Sequence, residues 1–184
     1  MISFGNIRLC ADIPESARTW RNNPIIFKYC RQHSLISQAE QELWLDKLKY
    51  DKTIKMFSVE APIVLEGSTY WREVGVCGLT SINLINGNAE FSLYIAQEYQ
   101  RKGYGRPALI ALLGHGFLNW RLERIWGEVF DFNQRAFGMF KDIGFQVEGE
   151  LRNTYFKEGK YINSYIISML SDEFDYQKNN QDIG

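Results

Sequence analysis

The stretch "EYQRKGYGRPALIALLG", Glu98 to Gly114, sets two glycines one residue apart behind a polar and basic run, then enters an apolar repeat. Pro107 suits the first turn of a helix, where its missing N–H costs nothing, so a helix is predicted from about Gly105 or Arg106. The first amides of a helix have no partner within it, and the helix dipole leaves partial positive charge at the same end. Gly103 and Gly105 let a ligand reach those amides with no Cβ in the way, and Arg101, Lys102 and Arg106 add charge. The segment reads as an anion seat; the plainer reading is a strand-to-helix turn with a solvated basic rim. No complete GxGxxG or GxxxxGK[ST] is present, so neither a dinucleotide fingerprint nor a P-loop is supported.

Outward from that loop, Leu109, Leu112, Leu113, Phe117 and Trp120 recur at helical spacing. Upstream, "MFSVEAPIVL", "EVGVCGLTSIN" and "AEFSLYIA" are β-branched and aromatic segments separated by the turn signals "EGSTYWR" and "NGN", which predicts an antiparallel meander. Earlier still, "ISFGNIRL" reads as one short strand. Asp12, Pro14 and Glu15 open a helix that ends before Pro24. A second helix starts at "SQAE", where Ser37 and Glu40 have capping-box spacing, with Leu43, Trp44, Leu45 and Leu48 as its expected buried stripe. Downstream come a strand, "RIWGEVF", a helix, "NQRAFGMFKDIG", and two strands, "FQVEGELRNTYF" and "KYINSYIISML", joined by "KEGK". The order predicts an α/β (α+β) fold: a mixed, mainly antiparallel sheet of about seven strands with helices on both faces. One domain is expected over residues 1–170, and the polar tail 171–184 is expected to fray.

A chain of 184 residues that is 45% hydrophobic can bury one substantial core. Its net charge of -1 gives no global field toward nucleic acid or an anionic membrane, so an anion site must be local. "MISFGNIRLCADIPESARTW" contains no apolar run of signal-peptide or membrane-spanning length, and a cytoplasmic location is expected. Cys10, Cys30 and Cys77 lie apart in apolar strings without a CxxC pair, and read as reduced packing residues. His33 and His115 are lone histidines and predict no metal site.

Gln100-Arg101-Lys102-Gly103-Tyr104-Gly105 resembles the Q/R-x-x-G-x-G/A signature of the GNAT superfamily of N-acetyltransferases. It follows a strand, opens a helix and precedes "VFDFNQRAFGMFKDIGF", similar to the superfamily's strand, N-x-x-A helix and G-F ending; the match runs from about Val74 to Leu170. The resemblance implies an acetyl-CoA-dependent enzyme whose loop, Gln100 to Arg106, holds the pyrophosphate. It further implies that "FSLYI" splays from its neighbour, with backbone groups of Leu93, Tyr94 and Ile95 to Ala96 pairing with the pantetheine arm like another strand. Asn133 matches a helix asparagine that faces pantetheine or thioester, and it can equally cap its helix. Many relatives carry a tyrosine seven residues later, placed to protonate the leaving thiolate; Phe140 stands here and cannot donate a proton. Tyr94, Tyr155 or water remain as donors, or the thiolate leaves unaided.

Acetyl transfer to an amine needs a base for the ammonium proton. Glu128, alone among the apolar residues of "RIWGEVF", matches a strand glutamate that acts as base in the ribosomal-protein N-terminal acetyltransferase branch. The alternative is a buried ion pair with an arginine such as Arg152. Glu90 is the second candidate, with an exposed strand-end charge as its alternative.

"RTWRNNP", "ISQAEQELWLDKL" and "GVCGLTSINL" resemble two branches, that one and another acetylating the 4-amino group of nucleotide-linked deoxysugars. The expected acceptor is a small-molecule or peptide amine, with no nucleic acid or membrane partner. Trp20, Trp44, Trp71, Tyr29 and Tyr70 can stack a base or sugar, or pack a core. A non-catalytic acyl-CoA-binding module is the alternative class, separated by turnover. A strand edge after Tyr155 leaves monomer and homodimer both open.

Overall fold

The protein is described here by a computed structural model covering residues 1–175. Its strands are β1 (Ile2–Phe4), β2 (Ile7–Cys10), β3 (Lys55–Leu65), β4 (Ser68–Asn83), β5 (Asn88–Ile95), β6 (Arg124–Phe130), β7 (Gln146–Lys157) and β8 (Lys160–Leu170). They form one eight-stranded sheet in the order β1-β2-β3-β4-β5-β6-β8-β7. Among the described residues, only β5 and β6 run parallel. The count exceeds the expected seven because "ISFGNIRL" folds back at Gly5 and Asn6 into a hairpin rather than running as one strand. The turn after β3 is also tighter than "EGSTYWR" suggested. Glu66 and Gly67 both take positive φ, closing a two-residue loop, and Ser68 to Arg72 continue as strand.

Helices α1 (Ser16–Asn22), α2 (Pro24–Phe27), α3 (Gln38–Leu48), α4 (Gly105–Gly114) and α5 (Gln134–Ile143) lie between them. The α3 N-terminus carries the expected capping box: Ser37 accepts from the Glu40 N–H, and the Glu40 carboxylate accepts from the Ser37 N–H. Its expected stripe is only partly buried, since Leu43 is 72% exposed while Trp44, Leu45 and Leu48 are half-buried. Trp20, Trp44 and Leu48 pack with Ala17, Met56 and Val76 as a small second cluster. By contrast α4 is buried on every side from Pro107 to Gly114, as an all-apolar helix must be, and sits against the main core. No helix of the described residues is long and apolar enough to cross a membrane.

The expected fraying does not begin at residue 171. Ser171 N–H bonds the Glu123 carbonyl at 2.9 Å, and the Phe174 ring packs on Phe117 at 5.4 Å, so the chain is anchored there. The rest of the expected tail, 176–184, lies outside the described residues.

The feature that positions the site is the fork between β5 and β6. The strands pair only through Asn88–Arg124, Ala89–Ile125 and Glu90–Trp126, then diverge. Phe91 fills the opening: a Cβ on Gly127 would lie 2.4 Å from its ring, so only glycine admits that ring beside β6. The ring then packs on Phe140 and Phe145 at 5.1 and 5.2 Å.

Candidate active site

A cleft of about 820 Å³ runs from the α4 N-terminus along the fork to the segment after α2. That volume suits a cofactor and a small acceptor. At one end, the Ala108 N–H bonds the Tyr104 carbonyl at the start of α4, so the loop from Arg101 to Tyr104 leads directly into the helix's first turn. Gly103 takes φ +83, which an L side chain rarely adopts, and no atom lies within 4 Å of where its Cβ would be. Gln100, Arg101, Gly103, Tyr104, Gly105 and Arg106 all line the cleft. Lys102 does not; its ammonium sits 5.3 Å from the Tyr99 ring.

Along the middle, Leu93, Tyr94, Ile95, Asn133 and Phe140 line the cleft. The backbone left open there is narrower than Leu93 to Ala96, however. Ala96 N–H already bonds Val74, and the Ile95 carbonyl accepts from the Gln100 side chain at 3.0 Å. Asn133 caps α5, accepting from the Ala136 N–H, and faces the cleft as well.

At the far end the two carboxylates meet. Glu90 is buried rather than exposed at a strand end, its side chain 9% accessible, and that of Glu128 is 6%. Glu128 does not pair with Arg152. Instead it accepts from Tyr155 Oη at 2.8 Å, from Ser164 Oγ, and from Arg31 Nη1 at 3.3 Å, while Arg31 Nη2 ion-pairs with Glu90. One guanidinium thus bridges both candidate bases. The segment carrying it is held firmly: Lys157 Nζ donates to the Cys30 and Gln32 carbonyls, both at 2.7 Å. Arg21 donates twice to Gln32 Oε1, and Asn22 and Ile36 exchange hydrogen bonds. Burial pushes the Lys157 ammonium below the usual lysine range.

Neither tyrosine is a ready acid. The Tyr94 hydroxyl donates to the Ala17 carbonyl, and burial raises it well above the usual phenol range. Burial, then the hydrogen bond and charge of Glu128, raise Tyr155 too. Cys30 lines the cleft, but burial raises its thiol, whose Sγ lies 3.3 Å from the Ile26 carbonyl. His33 is exposed outside the cleft, and His115 packs between Phe57, edge-on, and the tilted ring of Trp120. Of the five aromatics that can stack a sugar or base, Tyr29 and no other lines the cleft; Trp71 lies under Arg8, 3.4 Å from its guanidinium carbon. Sequence reasoning missed Arg31 and Arg135. Arg31 stands in "CRQHSLIS", two residues before the histidine that drew attention.

Residues 7–146 match the acetyltransferase (GNAT) domain family. The chain is 28% identical over 153 residues to spermidine N(1)-acetyltransferase of Escherichia coli (strain K12), covering 83% of this chain and 78% of that protein. It is 26% identical over 120 residues to the putative ribosomal N-acetyltransferase YdaF of Bacillus subtilis (strain 168), 65% of this chain and 63% of that one. Among solved structures, spermidine N-acetyltransferase from Vibrio cholerae in complex with CoA and spermine superposes with a TM-score of 0.81 at 26% identity, covering 91% of this chain and 97% of that one.

Proposed function

The chain belongs to the GNAT acetyltransferase family, and from that premise we propose that it moves the acetyl group of acetyl-CoA directly to a primary amine held beside Glu128. The observation that supports this most is the continuity of the cleft, from the glycine loop at the α4 N-terminus to two buried carboxylates past the β5–β6 fork. The amides and basic side chains from Gln100 to Arg106 suit a pyrophosphate. The cleft-facing backbone near Leu93 suits an extended amide-containing arm, and Asn133 and Phe140 flank its path. The acceptor reading is a nucleotide-linked amino sugar or a peptide N-terminal amine, with spermidine a third choice from the relatives' activity.

In this mechanism Glu128 takes a proton from the amine, directly or through water, with Glu90 as its reserve. The amine nitrogen bonds to the thioester carbon, and the carbon–sulfur bond breaks. With Phe140 at the expected acid position and both tyrosine hydroxyls engaged, the thiolate departs unaided and takes a proton from solvent, as a thiol with pKa about 8.5 can. The test is release of CoA thiol from acetyl-CoA across a panel of nucleotide-linked amino sugars, peptide N-termini, polyamines and aminoglycosides. Turnover with at least one class is expected; binding of acetyl-CoA without turnover of any would overturn acetyl transfer.

A further inference from the structure

Charge along the cleft is lopsided. Among the described residues, six cationic side chains line it, Arg21, Lys28, Arg31, Arg101, Arg106 and Arg135, against Glu90 and Glu128. Arg101 and Arg106 belong to the glycine loop. Arg21, Lys28 and Arg31 come instead from α1 and the segment after α2, the wall that faces the two carboxylates. Without Arg31, a pair of buried carboxylates would be a natural seat for a molecule with several ammonium groups. Arg31 cancels half of that charge from within the protein.

We infer that Arg31 determines acceptor specificity: its bridge to Glu90 and Glu128 leaves room for one ammonium only, and selects a monoamine that itself carries an anionic group over a polyamine. This rests on the acetyl-transfer reading above and names the class of acceptor within it. Within the bridge itself, two carboxylates and one guanidinium leave a single negative charge, the complement of one substrate ammonium held directly against them. A second or third ammonium on the same molecule would meet Arg21 and Lys28, and like charges brought together in a confined site are strongly unfavourable. A phosphate or carboxylate on the acceptor would find those same groups, with Arg31's accessible face, as counter-charges. The Arg31 side chain is 46% exposed, so it presents part of its guanidinium to the cleft while bridging. The bridge is built in rather than incidental, because Lys157, Arg21 and Asn22 fasten the surrounding segment through contacts that do not use the Arg31 side chain.

Those fastenings hold the segment in place when the Arg31 side chain is changed, and Arg31→Lys keeps a cation beside the two buried carboxylates. The decisive measurement is equilibrium binding of spermidine, glucosamine and glucosamine 6-phosphate to the CoA-saturated protein, as wild type, Arg31→Gln and Arg31→Lys. Wild type is expected to bind glucosamine 6-phosphate tightest and spermidine weakest. Arg31→Gln should tighten spermidine and weaken glucosamine 6-phosphate, each by at least about tenfold. Arg31→Lys, which keeps the charge, should retain the wild-type ranking, and that rescue separates charge from shape. The inference is overturned if wild type binds spermidine tightest, or if Arg31→Gln shifts both ligands by less than about threefold, below what a lost charge pair gives. Circular dichroism of each variant excludes misfolding as the cause. A parallel assay with acetyl-CoA judges acetyl transfer separately: absence of turnover with every amine would sink that reading, while the binding ratios still judge Arg31.

Discussion

The two ends of the cleft are built in opposite ways. The end proposed for the cofactor is local in sequence: Gln100 to Arg106, all but Lys102 lining the cleft, offer backbone amides whose geometry follows from two glycines and a proline. The end proposed for the acceptor is assembled from Arg31, Glu90, Glu128, Tyr155 and Ser164, which come from a loop and four strands. A site made of local backbone tolerates much side-chain change. One made of side chains from distant elements is tuned residue by residue. Substitutions at the two ends should therefore differ in both size and kind of effect.

The largest effect is expected from Glu128→Gln, which keeps the shape and removes the base. Loss of a positioned general base lowers turnover by about a hundredfold to ten-thousandfold. Acetyl-CoA affinity should hold, because Glu128 stands at the other end from the glycine loop. Stopped-flow turnover and calorimetric affinity measured on one sample check both halves. Turnover within about threefold of wild type, too little for a positioned base, would transfer the role to Glu90 or to water.

The next effect tests the cofactor end alone. A Cβ at Gly105 would meet only Met139 Sδ at 3.7 Å and Ile95 Cγ1 at 3.8 Å, ordinary contacts that the fold accepts. Gly105→Val should thus leave thermal stability nearly unchanged while weakening acetyl-CoA by at least about tenfold, or roughly 1.4 kcal/mol. Gly103→Val has the same target but adds strain at φ +83, so it should lose stability as well. Equal acetyl-CoA affinity in both variants and wild type would remove the loop from cofactor binding.

That contrast also explains what the sequence made legible. The loop, its helix and the Ser37–Glu40 capping box are local patterns, read within a few residues of one another, and each appears where expected. The open fork was implied by resemblance and appears as three paired positions followed by divergence. The Arg31 bridge was not legible, because it spans 59 and 97 positions to its partners and depends on where an irregular segment runs. No periodicity marks such a residue. Glu128 is conspicuous as a charge in an apolar strand, yet its partners are not, since Ser164 lies on the neighbouring strand β8, 36 positions on, and Tyr155 on β7 beyond it. The misplaced stripe of α3 has a simpler cause: the helix packs through Trp44 and Leu48 on the small second cluster rather than on the main core, and Leu43 turns outward. "GN" within "ISFGNIRL" was the available signal for the missed hairpin.

A smaller effect at the acceptor end comes from Tyr155→Phe. It deletes one of three donors to Glu128 and keeps the ring, which packs on Phe130 at 5.0 Å. One hydrogen bond contributes about 0.5–1.5 kcal/mol net, so turnover should change by about threefold to tenfold with acetyl-CoA affinity unmoved. A loss as large as that of Glu128→Gln would instead make the Tyr155 hydroxyl part of the proton path.

The smallest effect is expected where the two ends meet, at Phe140→Tyr. The Phe140 ring is 7% exposed, stands edge-on to Phe91 at 5.1 Å and lies 5.8 Å from Phe145, yet it also lines the cleft. A new hydroxyl can reach the cleft without breaking that cluster, and there it meets water or the departing thiolate rather than a buried void. Leaving a hydroxyl unpaired in apolar surroundings would cost about 1–3 kcal/mol, so an unchanged melting temperature would itself indicate that the group faces the cleft. If the thiolate leaves unaided, turnover should stay within about threefold of wild type or rise, because a donor with pKa about 10 is added to a step that did not require one. A large fall in a folded variant would show that close apolar contact between the ring and the bound cofactor, rather than proton supply, is what this position provides.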